Sequence, residues 1–516
     1  MLSLFISVNM LVSQALFART YGVSSYVYYG VEGLQTSDGG YIISGYSNQP
    51  GAGDWDLLLL KLNSDGTVNW AELFGGSNDD AAKSLLIGAD GYYVMAGHTL
   101  SYGSGDYDLF VLKTSSSGSL QWARAIGGSG RDRAYSVVQN SGGSYAVAGW
   151  CIVSNGQGCL LVLNSSGGLQ WAKHYGGSNA DAFFSVINTT NSGYAVVGET
   201  NSAGAGSRDV LVMKMSSDGS VQWAKAYGRS YEDIGLSIIN TADGGYAVAG
   251  SGYALVNSSS FGDLLVIKLN SDGSVNWARA VDWGYTVDTA VSIVQLSDGG
   301  FLVSGKTSAG AGYRDIVLLR FSSDGTLQWS STIGASGWDS WYEWDGTRVI
   351  STAGDGRYLI TGNTNSSGPG SQNILFFKIG SDGSYTGCLI SRSPTVANVS
   401  LTTTNLSWSA NDWSPTVTNL SLSPSSPNVS TGNFCSPVYS EVEELGGTAP
   451  PRITCRASRT GLIFTCNDDA MVLNIYSYEG RLIYAKELKK GQNRITLGQG
   501  VYIWQAGPYK GKAVVR

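Results

Sequence analysis

Few residues of this 516-residue chain have the chemistry of a catalytic centre, and those that do are mostly copied once per repeat. There are only two histidines, His98 and His174, each at the end of a strand-like run and neither beside a Ser or Cys nucleophile motif. Two histidines argue against a multi-histidine catalytic metal site, and none of the six cysteines has C-x2-C spacing. No carboxylate pair stands apart as the acid and base of a glycosidase. Two aspartates do recur. One follows a Gly-Gly-Ser-like turn, at Asp80, Asp132, Asp181, Asp233, Asp288 and Asp339, with Val27 in its place in the first copy. The other opens an apolar run, at Asp56, Asp108, Asp209, Asp263 and Asp315, with Cys159 and Asn373 as substitutes. A ring of carboxylates can hold a cation; a carboxylate can equally cap loop N–H groups. Copying in every repeat favours the second reading, because active-site residues are not needed once per repeat. Ca²⁺ held by Asp54 with Asp56, or by Asp106 with Asp108, and loop carbonyls is the one cofactor these residues suggest. The Gly-x-Gly loops such as Gly51-Ala52-Gly53 precede no helix and so lack the phosphate-binding mechanism.

These residues hang on a repeat. A Trp-Ala or Trp-Ser pair recurs at Trp70, Trp122, Trp171, Trp223, Trp277 and Trp329, at intervals of 52, 49, 52, 54 and 52 residues. A glycine stands four residues before each, and a seventh copy keeps Gly383 but carries Gly387 in place of the Trp. Each unit reads as four strands joined by Asp-Gly or Ser-Gly hairpin turns. The third strand is apolar at successive positions, as in Leu57–Leu60, which requires burial on both faces. Four antiparallel strands at a period near 50 residues predict blades, and seven copies predict an all-β, seven-bladed β-propeller over residues 16–388. The segment Phe17–Gly22 repeats the pattern of Trp223–Gly228, which makes it a candidate outer strand for blade seven.

The aromatic pattern breaks in one place. Trp338, Trp341, Tyr342 and Trp344 enter blade seven, and Tyr26, Tyr28 and Tyr29 enter blade one, its neighbour in a closed ring. They form either an aromatic surface for a glycan or protein partner, or extra packing for an irregular closing blade.

The Gly-to-Trp spacing resembles the tryptophan-docking motif of propellers related to quinone-dependent enzymes. More broadly, the WAxxxGGSxxDxAxSV and DGGYxVxGxT patterns resemble repeats of exported bacterial and archaeal propellers, a likeness that specifies fold and not chemistry. The expected function is a non-catalytic binding or structural module; the alternative is a quinone- or metal-dependent enzyme on the same scaffold.

The chain ends suggest export. Residues 1–15 form an apolar stretch ending in Ser13-Gln14-Ala15, as in a signal peptide, and no later run is long and apolar enough to span a bilayer. The cysteines suit an oxidising compartment, with Cys151–Cys159, Cys388–Cys435 and Cys455–Cys466 as expected disulfides. A formal net charge of -7 gives no reason to expect nucleic acid. Residues 389–450 turn to Ser, Thr, Asn and Pro, read as a spacer or as added strands. Residues 451–516 read as a small β-sandwich. Gly480-Arg481-Leu482, Asn493-Arg494-Ile495, Gly500-Val501-Tyr502 and the final Lys512–Arg516 resemble the C-terminal sorting domain of the type IX secretion system. That resemblance implies contact with secretion machinery and a secreted or cell-surface location.

Overall fold

The computed structural model describes residues 17–366, apart from short stretches of which 254–261 and 340–348 are the longest, then 371–380, and beyond 389 chiefly strand backbones. The chain divides into two compact units, 1–384 with 390–434, and 385–389 with 435–516. Strands are the only regular structure among the described residues, so no helix there is long and apolar enough to cross a membrane.

Unit one is a seven-bladed propeller. Blade one contains Tyr28–Gln35, Tyr41–Ser47, Asp56–Leu62 and Val68–Phe74, hydrogen-bonded in chain order. Blades two to six repeat that order within 80–127, 132–175, 181–228, 233–282 and 289–333. The alternation of β-branched and aromatic residues makes these segments strands, and the tight turns between them close each hairpin. The turn glycines Gly66, Gly118, Gly167, Gly219, Gly273 and Gly325 lie at φ between +76° and +84°, where a side chain would be strained. Third strands are buried along nearly their whole length, Asp56–Leu62 entirely so, because a sheet packs on each face.

The ring closes with strands from both ends of the unit. Phe17–Gly22 pairs with Asn373–Ile379 as the outer strand of blade seven, Phe17 opposite Lys378 and Tyr21 opposite Ile374. Phe17 takes the place of the missing tryptophan and packs on Tyr41 of blade one, ring centroids 5.4 Å apart. The chain then runs back around the outside. Short strands within 389–434 add to the outer edges of blades six, five, four, three, two and seven, in that order. This covers edges that would otherwise offer unpaired backbone groups. Blade one alone has four strands among the described residues.

Unit two contains a five-stranded sheet, which includes Met471–Ser477 and Tyr509–Val515, and a three-stranded sheet of Ile453–Ser458, Gly461–Cys466 and Gly491–Thr496.

Candidate functional site

The seams between blades account for most of the repeated residues. Trp70, Trp122, Trp171, Trp223 and Trp277 each lie on the turn glycine of the next blade: a methyl added at Gly118 would meet Trp70 at 3.1 Å, and one at Gly167 would meet Trp122 at 2.8 Å. Trp122 Nε1 donates to the Ser165 carbonyl at 3.2 Å, and Arg124 Nε donates to the Gly167 carbonyl at 3.0 Å. Tyr175 and Tyr21 make the equivalent bond, each hydroxyl donating to the next turn's glycine carbonyl at 2.8 Å. Tryptophan is therefore a packing residue here, and the turn must be glycine because φ is positive and an indole covers it.

The aspartates occupy the opposite end of the same seams. Asp80 Oδ2 accepts from the Gly76 N–H and the Ser101 hydroxyl, both at 2.7 Å; Asp132 accepts from the Gly128 N–H at 2.7 Å and the Ile152 N–H at 3.0 Å. Asp108 accepts from the Ser104 N–H at 3.0 Å. These carboxylates cap loops. They also meet in pairs, one from each blade: a side chain on Gly127 would collide with both Asp108 and Asp132, and one on Gly228 with both Asp209 and Asp233. Burial, with the neighbouring carboxylate adding to it, pushes Asp108 up to about 6 and Asp233 up to about 7. Burial also raises Asp80, Asp132 and Asp209.

Strand register corrects two of the sequence assignments. Ser47 and Thr99 are equivalent, and they pair with Tyr28 and Asp80, so Tyr28 and not Val27 replaces the aspartate in blade one. Cys151 pairs with Gln157 as Thr99 pairs with Asp108, so Gln157 and not Cys159 replaces the aspartate in blade three. The shorter loop of blade three had displaced the alignment by two residues. Cys159 is instead bonded to Cys151 across that hairpin, Cα atoms 6.0 Å apart. Cys388, Cys435 and the side chains of Cys455 and Cys466 lie outside the described residues.

Above the aspartates the repeat fails. The rim there carries the starts of the first and third strands and the ends of the second. Between the closing glycine of the second strand and its last residue, the seven blades hold seven different residues: Tyr46, His98, Trp150, Glu199, Ser251, Lys306 and Asn363. Blades one to three make this rim aromatic and cationic. Tyr29, Tyr46 and Trp55 form a half-buried cluster, with centroids 4.9 Å apart for the tyrosines and 5.7 and 5.6 Å from each to Trp55. Lys83 Nζ stands 5.3 Å over the Tyr46 ring. Lys83 is the extra residue of a β-bulge between Ala82 and Ser84, a feature that re-aims the side chain of an innermost strand. In the next blade His98 packs edge-on to Tyr107 at 5.0 Å, and the Arg133 guanidinium lies 4.4 Å over the same ring. Burial, then Lys83 and Arg133, hold His98 well below the usual histidine range, so it is neutral at physiological pH.

Of the predicted aromatic surface, Tyr29 belongs to this rim. Tyr28 is fully buried, its hydroxyl bonded to Gln49, so it cannot reach a ligand. Tyr26 is half-buried against the core between blades seven and one. Trp338 is half-buried at the rim with the Arg314 guanidinium 5.1 Å over its ring. Trp341, Tyr342 and Trp344 lie outside the described residues. Tyr46, Trp55, Lys83, His98, Tyr107, Arg133 and Trp150 were not anticipated. For Tyr46, His98 and Trp150 the signal was present as variability at one position that follows a repeated glycine. Among the described residues no group of three or more His, Cys, Asp or Glu side chains is arranged to hold a metal.

Residues 36–69 match the model of a β-propeller domain of unknown function, DUF5122. No curated protein matches the sequence. Among solved structures the chain is similar to PorZ, a surface component of the type IX secretion system of Porphyromonas gingivalis. Identity is 12% and the TM-score 0.41, over 93% of this chain and 58% of PorZ, so the chain spans little more than half the length of that protein. A PL25 ulvan lyase gives 12% identity and a TM-score of 0.44 over 72% of this chain and 97% of the lyase. The periplasmic gluconolactonase of Pseudomonas aeruginosa gives 11% and 0.33 over 74% and 100%. At such scores none of these likenesses bears on activity.

Proposed function

We propose that this protein is an exported, non-catalytic binding module that holds a glycan on the upper rim of blades one to three. The observation that carries the reading is the contrast between seams, where residues repeat, and this rim, where half-buried Tyr29, Tyr46 and Trp55 gather into a three-ring cluster. Aromatic rings at a rim suit sugar rings, and the flanking Lys83 and Arg133 can donate hydrogen bonds to hydroxyl or acidic substituents. Trp338 extends the same rim toward blade seven. Export is supported by the Cys151–Cys159 disulfide, since such bonds persist in oxidising compartments. In this reading residues 451–516 act as a type IX sorting domain that delivers the propeller to the cell surface.

The test is a glycan array probed with the mature chain and with Trp55→Ala, alongside a pull-down from surface extracts. Glycan capture lost in Trp55→Ala supports the reading. Capture of a protein alone, equally lost in the variant, would make the rim a protein interface. Capture unchanged by the substitution would remove the rim as the site.

A further inference from the structure

On the opposite rim, blades one, two, five and six each pair a third-strand cation with an aspartate of their own second-strand turn. Lys61 meets Asp38 at 2.8 Å, Lys113 meets Asp90 at 2.5 Å, Lys268 meets Asp243 at 2.8 Å, and Arg320 pairs with Asp298. Blade seven has Lys378 at this position, and its turn lies outside the described residues. Blade three has lost both partners, with Val162 and Gly142 at the two positions. Blade four has lost only the acid. Asn191 stands where the aspartate would be, and half-buried Lys214 has no ion pair among the described residues.

The same place holds a cleft of about 370 Å³ between blades four and five. Lys214, Asn191, Trp223, Asn240, Thr241 and Tyr246 are among its lining. A second donor without a partner belongs to one of the lining residues. Trp122 Nε1 and Trp277 Nε1 each donate to a carbonyl of the next blade's turn, at 3.2 and 3.1 Å. Trp223 Nε1 is buried and has no partner. The cleft's carboxylate, Asp272, is occupied by the N–H and hydroxyl of Ser274, at 2.9 and 2.7 Å. Lys225 stands 5.9 Å over the Trp223 ring and adds positive charge nearby.

A lysine without an ion pair in a cleft whose one carboxylate is already occupied calls for an anionic acceptor. The other lining groups are amides, hydroxyls and the rings of Trp223 and Tyr246, which suit a polyhydroxylated ring and not an apolar one. The volume lies at the lower end of the range of small-ligand sites, about 300–1,000 Å³. The geometry points to a second binding site, separate from the upper rim, that takes a carboxylate-bearing sugar, its carboxylate on Lys214 and its ring beside Trp223 and Tyr246.

Calorimetric titration with trigalacturonate and with neutral maltotriose tests this. The charged sugar binds and the neutral one does not. Lys214→Met weakens trigalacturonate at least tenfold. Asn191→Asp restores the ion pair found in the other blades and weakens binding to the same degree while keeping or raising the melting temperature, which separates lost binding from lost folding. Trp55→Ala, on the other rim, leaves this affinity unchanged. Absence of trigalacturonate binding, equal binding of maltotriose, or unchanged affinity in Lys214→Met would each overturn the inference. If Trp55→Ala abolished trigalacturonate binding and Lys214→Met did not, the sugar would sit on the upper rim, and the cleft would fail while the proposed function stood.

Discussion

The seams and the upper rim of blades one to three are built from the same strands, a few residues apart, and obey opposite rules. At a seam, every blade faces the same problem of covering a turn glycine and capping a loop, so the answer is copied: tryptophan, glycine, aspartate. At the rim the backbone is the same, yet Tyr46, His98 and Trp150 succeed one another at one position. Repetition thus marks what holds the ring together, and its failure marks what the ring presents. Functional residues in such a protein are found by subtracting the repeat.

The comparison breaks most visibly at a seam. Trp122→Ala removes an indole lying on Gly167 and its bond to Ser165, and is expected to cost roughly 3 kcal/mol, read by denaturant unfolding. An unchanged midpoint would mean that the seam does not depend on its tryptophan. Reducing Cys151–Cys159, or replacing both with Ala, should cost about 2 kcal/mol, because the bond closes a short loop already held by strand pairing. A mass difference showing free thiols at these two positions in the mature protein would contradict both the bond and the export reading.

The paired aspartates give a pH dependence with a definite sign. Asp233 titrates near 4 when unfolded and at about 7 in the folded chain, so the folded state keeps its proton longer. The contribution of this aspartate to stability is full below about pH 4 and is lost as pH rises toward 7, with Asp108 adding to the fall up to about 6. Asp233→Asn keeps an acceptor for the Arg229 N–H and supplies a donor toward Asp209. It should raise the melting temperature at pH 8 and flatten the profile. Gln157 in blade three is the protein's own version of this exchange, its amide donating toward the Gly177 and Asn179 carbonyls. A melting temperature that rises between pH 4 and 7 would refute the pairing.

Much of this was legible in sequence, and the failures have physical causes. Turn glycines, tryptophans and apolar third strands specify a local structure each, so blade number could be read directly, while Phe17–Gly22 was only a candidate closing strand until its pairing with Asn373–Ile379 was seen. Register could not, because loop lengths differ between blades and only hydrogen bonding shows that Tyr28 and Gln157 occupy the aspartate positions. The outer strands within 389–434 follow no repeat turn, so the order in which they meet the blades was invisible. The rim was missed for a related reason. Tyr46, Trp55 and Lys83 are separated along the chain by loops and a bulge, and only the ring brings them together. The Trp338 region drew attention because its aromatics are adjacent in sequence.

The account rests on stability residing in the seams and recognition in the rim, and one paired measurement tests that division: melting temperature and glycan capture on Trp55→Ala and Trp122→Ala. Trp55→Ala is predicted to weaken capture about tenfold or more while shifting stability by less than about 1 kcal/mol. Trp122→Ala is predicted to lower the melting temperature and to leave capture by the remaining folded protein unchanged. Trp55→Ala that destabilised the fold as much as Trp122→Ala, with capture intact, would show that the rim aromatics are packing residues and would contradict the division outright.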